Sequence, residues 1–216
     1  MSNHASSPDY RCYVVTGAGT REEVTRTAVA AARGGAGVVQ VRSKPIEARD
    51  LMALAEAIAT RVPERTTVLI DDRVDVACAL RNRGVPIAGV HLGQTDLPVA
   101  DARAQLGPDA VIGLTTGTKQ LVREAAQVAH LIDYIGCGPF RPSPTKQSGR
   151  PGLGIAGYPP LVDLSPVPLV AIGDVWPDDV ADLATTGVAG VAMVRAFAES
   201  EDPGALAARV VKEMTK

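Results

Sequence analysis

Aromatic side chains are scarce in this chain of 216 residues, where Phe, Trp and Tyr together make up 3%. That leaves little from which to build stacking platforms for single-stranded nucleic acid. A surplus of positive charge is also missing. Lys and Arg number 22 against 24 Asp and Glu, a formal charge of −2, so no basic field is available to hold phosphate backbones non-specifically. No apolar run approaches the roughly 20 residues of a membrane-spanning helix. The start, Met1 to Asp9, lacks the charged-then-apolar order of a secretory signal, and residues 1–10 are expected to form a short disordered tail. The three cysteines, Cys12, Cys78 and Cys137, are scattered without CxxC spacing, the pattern of reduced thiols in a cytoplasmic protein. These absences point away from nucleic acid and membranes and toward small-molecule partners, with self-association left open.

What is present is rhythm. Short β-branched runs alternate with alanine-rich amphipathic stretches, and a chain of this length has room for one large core. The expected strands are Tyr13–Thr16, Val38–Val41, Val68–Ile70, Gly89–Leu92, Val111–Leu114, Tyr134–Gly136, Leu169–Ile172 and Val188–Val194. Several are almost wholly apolar, as parallel strands buried on both faces must be. The expected helices are Glu22–Arg33, Ala48–Arg61, Arg73–Arg83, Val99–Leu106, Lys119–Ala129, Pro177–Thr185 and Gly204–Met214, with a weaker one at Tyr158–Leu164. Thr20 with Glu23 reads as a capping box, and Gly84 and Gly187 stand where left-handed caps close helices. Eight strand–helix units imply a closed barrel or a doubly wound open sheet. No GxGxxG opens the first unit, which counts against the open nucleotide-binding sheet. The expected architecture is therefore α/β: a single (β/α)8 TIM barrel over residues 11–216. In that fold the chemistry lies at the C-terminal ends of the strands.

The second strand ends in Gln40-Val-Arg42-Ser-Lys44, and alternation points Gln40, Arg42 and Lys44 the same way. Two cations there suit a polyanionic phosphate, arginine binding it bidentately. The third strand ends in Asp71-Asp72-Arg73. Adjacent carboxylates after a buried strand are costly unless they bind a cation or cap a helix, and Asp71 could simply cap the helix that starts at Arg73. The fourth ends in His91-Leu-Gly-Gln-Thr-Asp96, adding a carboxylate to the same rim. Carboxylates from separate strands beside cations describe a site for a hard metal and pyrophosphate. The fifth ends in the hydroxyl-rich Thr115-Thr-Gly-Thr118, where Thr118 could be a helix cap. After the sixth comes a loop rich in Gly and Pro, Gly136 to Gly154, that carries Ser143, Thr145 and Lys146, with Gly149 and Gly152 as hinges of a substrate-closing lid.

Taken together the segments resemble the thiamine-phosphate synthase family. The resemblance covers roughly residues 12–212. It is carried by Q-x-R-x-K at Gln40–Lys44, the pair Asp72-Arg73, HLGQxD at His91–Asp96 and GPxxPSPTK at Gly138–Lys146, four ordered motifs each at an expected strand end. It implies a transferase that joins a hydroxymethylpyrimidine diphosphate to a hydroxyethylthiazole phosphate. By the same analogy Asp72 and Asp96 hold Mg2+, and Arg42, Lys44 and Lys146 hold the pyrophosphate as the catalytic cations. Gln40, Asp71, His91 and Thr115 fall beside the pyrimidine. Ser143, Thr145, Gly173, Asp174 and Arg195 fall beside the thiazole phosphate.

The chain departs from the family pattern at several positions. Asp71 stands in place of asparagine, Thr115 in place of serine and Gly117 in place of histidine. Asp174 replaces the second glycine of a Gly-Gly pair. A carboxylate about 4 Å from a phosphate costs on the order of 4 kcal/mol at an effective dielectric near 20, roughly a thousandfold in affinity. Arg195 could offset that by pairing with Asp174 or with the phosphate, or Asp174 could point outward and cap the helix near Pro177. The alternatives are a relative with an altered acceptor, or a non-catalytic binder of thiamine precursors.

Overall fold

The computed structural model describes residues 7–142 and 151–215. Eight parallel strands close in sequence order: β1 Cys12–Val15, β2 Val38–Val41, β3 Thr67–Asp71, β4 Gly89–Leu92, β5 Val111–Thr116, β6 Tyr134–Cys137, β7 Leu169–Ile172 and β8 Gly190–Met193. The last strand pairs with the first, Tyr13 opposite Ala192, which makes the sheet a barrel. The outer layer consists of α1 Arg21–Arg33, α2 Ala48–Ala59, α3 Val74–Asn82, α4 Val99–Leu106, α5 Lys119–Gln127, α6 Pro159–Val162, α7 Val180–Ala184, α8 Arg195–Ala198 and α9 Pro203–Glu213.

The helices form where capping and periodicity agree. Thr20 accepts from the Glu23 backbone N–H while Glu23 reaches back to the Thr20 backbone, so two orphan donors of α1 are satisfied reciprocally. The buried stripe of α1, including Val24, Ala28 and Ala32, recurs every four residues and lies on the barrel wall. Asp202 caps α9 from its side chain, with Pro203 at the first helical position. Gly84 (φ +78°) and Gly187 (φ +85°) adopt the left-handed closures expected of them. Between strands and helices lies the larger core, in which Val39, Ile58, Ile70, Leu80, Ile112, Ile135 and Leu183 are fully buried. Each such aliphatic side chain contributes about 1.5–3 kcal/mol on leaving water.

Inside the barrel lies a second, smaller core of Tyr10, Tyr13, Val15, Val38, Leu69, Tyr134, Val170 and Ala192. Tyr10, which the sequence placed in the tail, is buried, and its ring lies 4.8 Å from that of Tyr134. Two glycines give the entering segment room. A Cβ on Gly37 would stand 2.1 Å from the Asp9 carbonyl oxygen, and one on Gly190 would stand 1.7 Å from that of Tyr10.

Five elements differ from expectation. α3 starts at Val74 after Arg73 without a side-chain cap, so the capping role considered for Asp71 is not the one it plays. α5 stops at Gln127, and a separate 3-10 turn, Ala129–Leu131, carries the exposed His130. The helix after β6 is a single turn, Pro159–Val162, opening on two prolines in the first-turn positions that tolerate them. The stretch from Pro177 is likewise divided, a 3-10 turn leading into α7, and the unforeseen one-turn α8 follows β8 directly.

Candidate active site

The C-terminal ends of β2, β3 and β4 bring five charged side chains together, Arg42, Lys44, Asp71, Asp72 and Asp96. Asp71 is buried at the end of β3. Its Oδ1 accepts a hydrogen bond from Gln40 Nε2 at 2.5 Å. Its Oδ2 lies 3.4 Å from Arg42 Nε and 3.3 Å from Lys44 Nζ, though it accepts no hydrogen bond of good geometry among the described residues. Gln40, Arg42 and Lys44 therefore do turn to one side, as alternation along β2 requires. Lys44 also pairs with Asp72.

Asp72 adopts a left-handed backbone, φ +58°. Aspartate tolerates that region better than most residues, and a non-glycine held there marks a position fixed by its surroundings. The Asp72 backbone N–H donates to the His91 carbonyl at 2.8 Å, which extends the β3–β4 pairing past the strand end. Across that pairing, Asp96 folds back over its own turn and accepts from the Gly93 N–H at 2.6 Å. A Cβ on Gly93 would approach the same carboxylate oxygen to 2.8 Å.

The Asp72 charge acts on both neighbouring carboxylates. Burial and then the Asp72 charge push the Asp71 carboxyl above the usual range, against the opposing pull of Lys44 and Arg42. Asp96 is also raised, first by burial and further by Asp72 beside it, although the Gly93 N–H opposes the shift. Lys44 is raised: burial works against its charge, but the hydrogen bond to Asp72 and the charges of Asp71 and Asp72 outweigh it. Among the described residues this rim sets the carboxylates of Asp71, Asp72 and Asp96 against the cations of Arg42 and Lys44.

Below the rim, hydrogen bonds cross the barrel interior. Tyr13 Oη donates to Gln40 Oε1 at 3.2 Å and lies 2.7 Å from Tyr134 Oη. Tyr134 Oη lies 2.8 Å from His91 Nδ1, and His91 Nε2 lies 2.9 Å from Thr115 Oγ1. Gln94 is exposed and donates to the Thr115 carbonyl. Thr118 caps α5 through the Leu121 N–H, the plain role open to it from sequence.

On the opposite rim the ends of β7 and β8 meet in a different arrangement. Gly173 (φ +102°) and Asp174 (φ +60°) both adopt left-handed backbone. A Cβ on Gly173 would stand 2.5 Å from Pro139 Cα, so only glycine lets the segment after β6 lie against β7. The Asp174 carboxylate does not cap the following turn. It pairs with Arg195 and accepts from Trp176 Nε1 at 3.1 Å, while the Trp176 N–H is taken by Asp179 at 2.8 Å. Asp179 thus does the capping considered for Asp174. The Arg195 guanidinium lies 5.2 Å from the centre of the Trp176 ring.

Arg141, not singled out from sequence, makes a forked pair with Asp179, donates to the Asp174 carbonyl at 2.8 Å and lies over the Phe140 ring. Leu153 and Gly154 donate backbone hydrogen bonds to Pro139 and Phe140, both at 2.9 Å, which ties the two ends of the long loop together. Ser143, Thr145, Lys146 and Gly149, assigned to that loop, lie outside the described residues.

The family model for thiamine monophosphate synthase matches residues 12–197. A thiamine-phosphate synthase of Corynebacterium efficiens is 59% identical over 205 residues, 95% of each chain. One of Vibrio parahaemolyticus is 38% identical over 200 residues, 90% of this chain and 93% of the relative. Among solved structures, a thiamine phosphate pyrophosphorylase of Pyrococcus furiosus superposes with a TM-score of 0.80 at 26% identity, covering 96% of both chains. A 3-hexulose-6-phosphate synthase, at 14% identity and a TM-score of 0.70, shares the barrel alone. With a family model spanning most of the barrel and relatives matching nearly end to end, the chain belongs to the thiamine monophosphate synthase family.

Proposed function

We propose that this transferase joins a hydroxymethylpyrimidine diphosphate to a hydroxyethylthiazole phosphate, releasing pyrophosphate and forming thiamine phosphate. The observation that carries this reading is the meeting of Arg42, Lys44, Asp71, Asp72 and Asp96 at the ends of β2–β4. Such a cluster suits a diphosphate that leaves as a polyanion. The C–O bond to the departing pyrophosphate breaks, and the thiazole nitrogen supplies the electron pair for the new C–N bond. That nitrogen carries its own lone pair, so no general base is required. Alignment of the two partners and neutralisation of the leaving group are what the protein supplies.

Arg42 and Lys44 bind the diphosphate, joined by Lys146 from the loop after β6. Gln40, Asp71, His91 and Thr115 bound the pyrimidine. Mg2+ fits this rim: Asp72 lies against Asp96, Asp71 Oδ2 is buried without a hydrogen bond among the described residues, and Mg2+ commonly takes one or two carboxylates beside substrate phosphates. When bound there, the ion offsets negative charge that collects on the leaving group.

The thiazole phosphate lies at the ends of β7 and β8, where barrels commonly hold phosphate. Gly173, Ser143 and Thr145 border it. Arg195 is its cation, and Asp174 fixes Arg195 in place while neutralising part of its charge. The Asp174–Arg195 pair favours a phosphorylated acceptor over the altered-acceptor alternative, because it answers the repulsion that a lone carboxylate would impose. The reaction is placed in the cytoplasm, with small molecules as partners.

The test is to incubate the purified chain with Mg2+, pyrimidine diphosphate and either thiazole phosphate or unphosphorylated thiazole. Thiamine phosphate formed faster than unphosphorylated thiamine supports the proposal. Product from the unphosphorylated acceptor alone overturns the assignment of Arg195, and no product with either overturns the reaction.

A further inference from the structure

Six side chains from six strands form one hydrogen-bonded file: Asp71 on β3, Gln40 on β2, Tyr13 on β1, Tyr134 on β6, His91 on β4 and Thr115 on β5. All but Thr115 are buried. The barrel is shaped around the file. A Cβ on Gly113 would stand 2.2 Å from Tyr134 Cζ, and one on Gly136 would stand 3.0 Å from His91 Cε1. Larger residues at either position would push the rings out of line.

The direction of every hydrogen bond follows from the first member. Asp71 faces Arg42 and Lys44, and toward Gln40 it offers only lone pairs. Gln40 therefore turns Nε2 to Asp71 and Oε1 to Tyr13. A phenol facing a carbonyl oxygen must donate, so the single proton of Tyr13 is spent on Gln40. Tyr134, at 2.7 Å, then donates to Tyr13 and keeps only lone pairs for His91. The ring must accordingly carry a hydrogen on Nδ1. In the neutral ring the other nitrogen, Nε2, is then an acceptor for the Thr115 hydroxyl. Each proton in the file points toward Asp71.

We infer that Tyr13 and Tyr134 are positioning residues that carry the polarity set at Asp71 across the barrel, hold His91 as its Nδ1–H tautomer, and present Thr115 Oγ1 to the site as a hydrogen-bond acceptor. An acceptor at that place selects a ring bearing an amino group over one bearing a carbonyl. The selectivity rests on the proposed reading, in which the pyrimidine sits beside Thr115. The tautomer does not rest on it.

The test has two arms. In protein labelled with 15N-histidine, the His91 resonances, assigned by their loss in His91→Gln, should show a protonated Nδ1 and a bare Nε2. Tyr13→Phe cuts the file between Gln40 and Tyr134 and should mix the tautomers. A hydrogen on Nε2 in the unmodified protein overturns the inference, and so does a pure Nδ1–H ring in Tyr13→Phe. The second arm compares the aminopyrimidine diphosphate with its oxo analogue. Tyr13→Phe should lose about tenfold of the preference for the amine, the scale of one hydrogen bond. The loss should fall in the KM for the pyrimidine and leave the KM for the acceptor unchanged. Thr115→Val should lose the preference and Thr115→Ser should keep it, which decides the matter should Tyr13→Phe fail to fold. An unaltered preference in Thr115→Val overturns the claim. A coupling reaction that fails in the unmodified protein, beside the expected His91 signals, removes the assigned substrates and leaves the relay standing.

Discussion

The two charged rims of this barrel are built on opposite plans. At β2–β4 the charges are shared: Lys44 serves both Asp71 and Asp72, Arg42 faces Asp71 as well, and Asp72 presses on Asp96. At β7–β8 they are paired one to one, Arg195 with Asp174 and Arg141 with Asp179, each arginine lying over an aromatic ring. A shared cluster with surplus carboxylate invites a polyanion together with a divalent ion. A matched pair on a stacking surface is already close to neutral, and it holds its arginine at a fixed place with less charge on offer. The first plan suits a leaving group that must be neutralised, and the second suits an acceptor that must be held still.

Breaking the first plan should cost the most. With Asp72→Asn and Asp96→Asn combined, kcat should fall about a thousandfold, the upper range for removing a preorganised charge-stabilising group. The rate should also lose its dependence on Mg2+ concentration, read by initial rates across a metal titration. Breaking the second plan should be milder and selective. Arg195→Ala should raise the KM for thiazole phosphate by about 10–100-fold, the range for a charged hydrogen bond, and leave the KM for the pyrimidine diphosphate nearly unchanged. Equal effects on both substrates would remove the division of labour between the rims.

The interior that separates the rims can be tested by stability. Gly113→Ala places a methyl group against the Tyr134 ring and should cost about 1–3 kcal/mol in urea unfolding, as overpacked cores do. The smallest effect concerns charge at the first rim. The folded protein holds the Asp96 proton more tightly than the unfolded chain does. The contribution of this group to stability is therefore greatest below the ordinary aspartate value of 3.8 and is lost as pH rises through the folded value. Without metal, Asp96→Asn should gain on the unmodified protein over that window and then hold a constant advantage. A stability difference independent of pH would show that Asp96 is not held against Asp72.

Much of this was legible in the sequence because a parallel barrel writes its period plainly. Strands buried on both faces appear as apolar runs, and the residue that ends each run is the residue at the mouth. β2, β4 and β7 fall where the runs fall, and Gln40, Arg42, Lys44, Asp71 and Asp72 meet because alternation and strand order bring them together. Less legible were the features decided by contacts between distant segments. The sequence leaves Asp174 two readings, a partner for Arg195 or a cap for the stretch from Pro177, and the β7–β8 pairing that decides between them joins separate segments. Arg141 was passed over because it sits among prolines in a loop, where no period marks it. Tyr13 and Tyr134 each open an expected strand, and no local pattern singles them out. Their inward positions on β1 and β6 were available from alternation, but the hydroxyl partners that join them lie 121 residues apart in the chain.

The central claim, that the two rims hold different ligands, can be tested directly by calorimetric titration of pyrophosphate in the presence of Mg2+. The unmodified protein should bind it, Arg42→Ala should bind it at least tenfold more weakly, and Arg195→Ala should bind it as the unmodified protein does. Weaker pyrophosphate binding in Arg195→Ala with none lost in Arg42→Ala would contradict the account.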